Sequence, residues 1–102
     1  MLELRPNCEW CDRDLPPSSA DARICSYECT WCADCAEQVL EGVCPNCGGN
    51  LVPRPIRPSR AWRDGVSLRH QPAGSERRHT RWTRGEVAEF AGRLRGIAPA
   101  DR

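Results

Sequence analysis

Cys25-Ser26-Tyr27-Glu28-Cys29-Thr30-Trp31-Cys32-Ala33-Asp34-Cys35 packs four cysteines into eleven residues, and how they are shared out decides the fold. Upstream stands Cys8-x2-Cys11; downstream stands Cys44-Pro45-Asn46-Cys47. All eight cysteines therefore fall in the first 47 residues, and none in the 55 that follow. A C-x2-C turn presents two sulfurs from one tight loop and a tetrahedral site takes four thiolates, so eight ligands make two sites. In a sequential sharing, Cys8, Cys11, Cys25 and Cys29 hold one ion, and Cys32, Cys35, Cys44 and Cys47 the other. In a cross-brace, Cys8, Cys11, Cys32 and Cys35 form site 1, and Cys25, Cys29, Cys44 and Cys47 form site 2. An iron–sulfur cluster on Cys29-x2-Cys32-x2-Cys35 is a third scheme, and redox-active dithiols are a fourth.

Working outward, the cysteine-bearing half is close to the size below which an apolar core alone rarely suffices. Its large apolar residues are few, so staples are needed. Two structural zinc ions, at an apparent ~10–16 kcal/mol each, would dominate the folding free energy. Disulfides compete, but Met1-Leu2-Glu3-Leu4-Arg5-Pro6 has no basic start, apolar run or cleavage site. The expected compartment is the reducing cytoplasm, where such pairs favour metal. No segment approaches the ~20 apolar residues of a membrane span.

The net charge of +1 hides an asymmetry. Residues 1–50 carry nine acids and three arginines, a formal −6; residues 51–102 carry twelve arginines and five acids, a formal +7. Each four-thiolate zinc site would add about −2 to the first half. All fifteen basic residues are Arg, which suggests GC-rich codon usage and a bacterial source.

Three stretches differ in composition: an eight-cysteine domain over 1–52, a Pro/Arg-rich linker and disordered stretch over 53–81, and a helix with the terminus over 82–102. Thr83 with Glu86 fits a capping box, and Trp82 with Val87 the spacing of a hydrophobic staple. Val87, Phe90, Ala91 and Leu94 make one apolar stripe, predicting a helix near 84–95 that packs on the zinc half, on another copy or in a foreign groove. A second short helix is expected near 35–41, with Asp34 and Glu37 as its capping pair and Gly42 as its stop.

The spacing resembles that of a RING finger: C-x2-C, a loop, a closely spaced pair, C-x2-C, a helix-bearing loop and a final C-P-x-C. The resemblance implies the cross-brace, a small metal-stabilised α+β fold binding two Zn2+ with little regular secondary structure. The sequential scheme resembles a LIM domain, but the loop from Cys35 to Cys44 is short for its second finger. Two-cluster ferredoxins want their next cysteine sooner than this chain supplies it. The strings Met1-to-Cys8, Asp12-to-Pro17, Asp21-to-Cys29 and Gly42-to-Gly49 together resemble a small bacterial family, domain of unknown function 1272, over about residues 1–57. That likeness implies a zinc-binding, RING-like module of soluble bacterial proteins, and no activity.

Three functions survive. The first is a non-enzymatic module that binds an unknown protein partner or itself. Its candidate surface is Trp10 and Pro45, since cross-braced folds expose an apolar groove there, together with Val87, Phe90 and Leu94. Both Trp10 and Trp31 have a plain alternative as core, which is favoured for Trp31. The second is nucleic-acid binding by the tail, where Arg54, Arg57, Arg60, Arg63, Arg69, Arg77, Arg78, Arg81 and Arg84 are interleaved with Trp62 and Trp82. Arg77, Arg78, Arg81, Trp82 and Arg84 are the candidate site, since arginines neutralise phosphates and tryptophans stack on bases. An acidic head opposes this, and a basic tail lying across that head is an equal account. The third, a RING-type ubiquitin ligase, is disfavoured by Gly48 and Gly49 where such ligases commonly place a basic residue. Catalysis is not expected: His70 and His79 lack a carboxylate or nucleophile nearby, and closed sites leave no position to activate water. No small-molecule substrate is implied.

Overall fold

A three-stranded antiparallel sheet in the order β2-β1-β3 forms the centre of the chain; the computed structural model describes residues Met1–Arg102. β1 (Ala22–Ile24) and β2 (Thr30–Cys32) form a hairpin with Arg23 opposite Trp31, and β3 (Val52–Pro53) adds to the free side of β1. The hairpin turn is the Cys25–Cys29 loop itself. It is closed by the Glu28 amide on the Cys25 carbonyl, with Glu28 in the left-handed region at φ 69°. Trp31 points inward from β2 and is wholly buried, so it is core. Six of the eleven residues of the central buried cluster are cysteines, and the rest are Leu15, Ala22, Trp31, Leu40 and Val87. So small an apolar set leaves the sulfurs and what they bind to hold the fold.

α1 spans Ala33–Gln38, earlier and shorter than the 35–41 expected. Its cap differs too. The Cys32 sulfur, not Asp34, accepts the Cys35 amide, which puts Asp34 and Glu37 inside the helix rather than in a capping pair. The helix unwinds early because Glu41 (φ 52°) and Gly42 (φ 77°) both turn left-handed, and the Leu40 and Gly42 amides fold back onto the Cys35 and Ala36 carbonyls. Ala36, Leu40 and Val43 are buried, and Val39 is partly buried against the same cluster.

Residues 53–81 contain little regular structure. They do not stand off as a linker, however. The Arg54 side chain is 4% exposed. The Arg57 guanidinium bonds the carbonyls of Leu2 and Gln71, both at 2.7 Å. The Gly74 amide bonds the Leu4 carbonyl and the Thr80 amide the Glu9 carbonyl. The physical reason is in the composition: arginines reach carbonyls and acids of the head that prolines and glycines cannot compete for.

α2 (Arg84–Leu94) starts where expected, with the Thr83–Glu86 capping box formed in both directions. Val87 is 2% exposed within the central cluster, and Trp82 packs against it. Phe90 and Leu94 lie over Gly48, whose missing side chain leaves the room: a Cβ there would stand 3.1 Å from Leu94 Cδ1. Arg95 pairs with Glu41 at 2.6 Å, and a short 3-10 turn (Pro99–Asp101) brings Arg102 onto the Gly48 carbonyl. The helix thus docks on its own chain.

Candidate metal centre

Each C-x2-C knuckle is a tight turn closed by the backbone. The Asp12 amide returns to the Cys8 carbonyl, with Asp12 at φ 67°. The Gly48 amide returns to the Cys44 carbonyl at 2.7 Å, with Gly48 at φ 82°. Between the knuckles, the β1–β2 hairpin separates the middle four cysteines into two pairs. Cys25 and Cys29 sit at its turn, while Cys32 ends β2 and Cys35 lies on α1.

That separation sets the grouping. The sulfurs of Cys8, Cys11, Cys32 and Cys35 all lie within 4.8 Å of one another. Those of Cys25, Cys44 and Cys47 form a second group within the same limit. Cys29 is not a member of this group, though it stands at the same hairpin turn as Cys25 and acts on the Cys25 and Cys44 thiols. The first pair therefore meets the third, and Cys25 of the second pair meets the fourth. The sequential grouping is not formed, and the Cys29-x2-Cys32-x2-Cys35 run is split, with Cys29 outside the cluster that holds Cys32 and Cys35. Sulfurs about 2.3 Å from a tetrahedral ion stand about 3.8 Å apart, and Cys11 and Cys32 stand at 3.8 Å. The residues fit a metal.

Backbone amides are aimed at three of the sulfurs: Tyr27 at Cys25, Cys35 at Cys32 and Gly49 at Cys47, at 3.3–3.4 Å. Such donors favour the thiolate over the thiol. Thiol protons shared within each group are unevenly held. The Cys29 and Cys44 thiols donate to Cys25 and hold its pKa down at about 3, while Cys44, the donor and largely buried, is pushed far up. Burial also raises Cys32 and Cys35. Cys11 falls: burial opposes this, but hydrogen bonds from the Arg13 backbone and the neighbouring thiols outweigh it. Ionising one thiol is easy here and ionising its neighbours is hard, which is the condition a divalent cation relieves by displacing their protons.

The expected docking surface is altered. Pro45 is buried, and Trp10 is half-buried and stacked on His79 with ring centroids 6.4 Å apart. Val87, Phe90 and Leu94 are spent on the chain's own last knuckle, so they are not a free partner-binding stripe. Between α2 and that knuckle remains a cleft of about 380 Å³ bordered by Pro45, Cys47, Trp82 and Phe90. Arg77, expected to meet phosphate, is instead bonded to Asp12 and Asp14, and Arg78 pairs with Glu3. Arg81 lies over the Trp82 ring at 4.3 Å, and Arg84 is exposed at the start of α2. Arg77, Arg78, Arg81 and Trp82 do share one open groove of about 750 Å³, bordered on the head by Tyr27 and Asn46.

Two polar residues around the knuckles escaped the sequence reading. Glu9, 3% exposed inside the first knuckle, accepts from the Thr30 amide at 2.6 Å and from Arg5 at 3.0 Å, tying that knuckle to β2. Asn7, fully buried, gives its amide to Asp12 and exchanges two bonds with the Arg78 backbone. A polar residue flanking a cysteine carries no local pattern, so nothing short of the tertiary contact marks either one.

An uncharacterised protein of Rhizobium meliloti (strain 1021) is 71% identical over 59 residues, which is 58% of this chain and 70% of that one. No solved structure matches the chain. The family described as protein of unknown function (DUF1272) matches over residues 1–57, the stretch that holds both sulfur clusters and the whole sheet. With more than half its length matched, the chain belongs to the DUF1272 family.

Proposed function

We propose that this chain is a structural two-zinc module of cross-braced, RING-like type, acting in the cytoplasm as a protein-interaction or adaptor element rather than as an enzyme. The interleaving of the sulfur groups carries the reading: Cys11 meets Cys32, 21 residues on, and not Cys25, 14 residues on, while Cys25 meets Cys44, 19 residues on. Cys8, Cys11, Cys32 and Cys35 hold one ion; Cys25, Cys44 and Cys47 hold the other, with Cys29 drawn in as the fourth ligand. All-sulfur tetrahedral sets suit zinc, which has no redox chemistry and closes such sites. No ligand position is then left for a water nucleophile. His70 is bonded to the Ser67 hydroxyl, and His79 bonds the Thr80 carbonyl through its ring nitrogen, so neither is paired with a carboxylate as a base. The open groove between Tyr27, which is 72% exposed, and Trp82 is the face offered to a partner.

Native mass spectrometry with elemental analysis, before and after chelation, tests this. Two zincs per chain and loss of folded structure on their removal are expected. Iron with acid-labile sulfide, or four disulfides and no metal, would overturn it.

A further inference from the structure

The fifteen arginines sort by what each one touches. Arg5, Arg13, Arg77, Arg78, Arg93 and Arg95 are ion-paired with acids. Arg23, Arg54, Arg57 and Arg102 are bonded to backbone carbonyls, and Arg63 reaches only the carbonyl of the adjacent Trp62, at 3.4 Å. Nine arginines have no acid partner, and three of these, Arg60, Arg63 and Arg69, fall within ten residues of one loop whose single acid is Asp64. Arg81 and Arg84 have neither an acid nor a carbonyl, but Arg81 lies over the Trp82 ring and Arg84 stands alone at the start of α2.

This loop is built. The Leu68 amide closes it on the Pro58 carbonyl at 2.8 Å, and Arg57 pins both feet through Leu2 and Gln71. Inside it, Gln71 bonds the Gly65 carbonyl and the Ser67 amide, and Ser67 is 2% exposed. Arg63 and Val66 bridge across a tip that Gly65 turns at φ 79°. The outcome is Trp62 held 70% exposed on a closed loop, with Arg60 over its ring at 5.4 Å. A lone exposed tryptophan needs no explanation. One fixed on a closed loop among three unpaired guanidinium groups has the parts of a stacking platform: an aromatic face for a base, and cations for the phosphates on either side.

We infer that the loop Pro58–Gln71 binds single-stranded nucleic acid, Trp62 stacking on one base while Arg60, Arg63 and Arg69 neutralise flanking phosphates. A membrane surface fits less well, because the tip carries Arg63 and Asp64 where an inserting loop would be apolar. Three phosphate contacts predict weak, salt-sensitive binding, with log K falling against log salt at a slope of about −2. This inference does not depend on the interaction module proposed above, and it uses a loop outside the residues matched by the family.

The test is fluorescence anisotropy of a labelled single-stranded oligothymidine titrated with the full, zinc-loaded chain between about 20 and 200 mM salt. Binding with that slope is expected. Trp62→Ala should weaken it about tenfold while Trp62→Phe retains most of it, and Arg60→Ala/Arg63→Ala/Arg69→Ala should abolish it and its salt slope. Arg77→Ala, whose guanidinium is already held by Asp12 and Asp14, should leave it unchanged. The exposure of Trp62, Arg60, Arg63 and Arg69 makes misfolding an unsuitable excuse, and circular dichroism checks it. No binding at the lowest salt, equal loss in Arg77→Ala, equal affinity for polyglutamate, or binding to anionic lipid vesicles in place of the oligonucleotide would each overturn the inference.

Discussion

Arg54 is a buried cation whose counter-charge is made of carbonyl oxygens. Its guanidinium donates to Arg5 at 2.9 Å, to Leu15 at 3.1 Å and to Pro16 at 3.0 Å, while its Nε finds no partner. Burial lowers its pKa, yet an arginine stays charged at any working pH. Arg54→Ala removes three charge-assisted bonds and strands three carbonyls beneath β3. A loss of about 2–4 kcal/mol is expected from urea unfolding of the zinc-loaded chain at fixed free zinc. An unchanged midpoint would mean that water replaces the guanidinium there. Cys29 makes a contrasting case. It stands outside the group of Cys25, Cys44 and Cys47 that it would complete, so Cys29→Ser should leave one tight metal and one that a chelator strips readily, whereas an unaltered two-zinc stoichiometry under competition would remove Cys29 from the ligand set. These two residues also show what a sequence exposes. The cysteines announce themselves because paired ligands three or four residues apart are a local pattern. Arg54 stands in Pro53-Arg54-Pro55, which has the look of a stiff linker, and its partners lie 38 to 49 residues away.

Among the elements, α2 was legible and α1 only partly so, for one physical reason. The cap of α2 is an oxygen pair, Thr83 and Glu86, of the kind that side-chain preferences encode. The cap of α1 is the Cys32 sulfur, which acts as an acceptor only because the cluster positions it. Hydrogen bonds from the Thr83 backbone and side chain hold the Glu86 carboxyl below its ordinary pKa. A depressed folded pKa means that the stabilisation is present above the unfolded value and disappears as pH falls through the folded one. Over the part of the acid range in which zinc stays bound, lowering the pH from 6 should therefore begin to fray the first turn of α2, followed by amide exchange at Glu86 and Val87, and Glu86→Gln should flatten that pH response. The docking of α2 on its own chain was legible only as one of three options, because the stripe that fits a partner fits the chain's own last knuckle equally well. Two glycines separate the contributions. Gly42→Ala meets open space and suffers only its left-handed backbone, about 1 kcal/mol. Gly48→Ala carries the same strain and also pushes on Leu94 and Phe90. A larger loss of stability at Gly48 than at Gly42, with weakened α2 protection only at Gly48, is the expected thermal-melt and exchange result; equal effects would mean that α2 does not rest on the knuckle.

At the scale of the molecule, several of the tail's anchors sit on the cysteine knuckles. Arg77 holds Asp12 and Asp14 just beyond the first knuckle, the Thr80 hydroxyl donates to Asn46 inside the last, and α2 with Arg102 covers Gly48. Two kinds of force are in play and they answer to different reagents. The Arg77 and Arg95 pairs are at the surface, where ion pairs contribute little and salt screens them. Val87, buried in the same cluster as Cys25 and Cys44, contributes on the scale of a fully buried aliphatic side chain, about 1.5–3 kcal/mol, which salt does not weaken. Raising salt to about 1 M, where the screening length falls to about 3 Å, should consequently leave the amides of α2 protected. Chelation should do the opposite. With half the central cluster made of cysteines, withdrawing the ions that neutralise and fix them removes the surface on which Val87, Phe90 and Leu94 rest. Acid should act in the same direction as a chelator, because protons compete with metal for the sulfurs. Hydrogen exchange read by mass spectrometry is expected to show the sheet, α1 and α2 losing protection in one step as zinc is withdrawn. An α2 that kept its protection after the sheet had lost its own would show that the tail folds on something other than the metal-bound head.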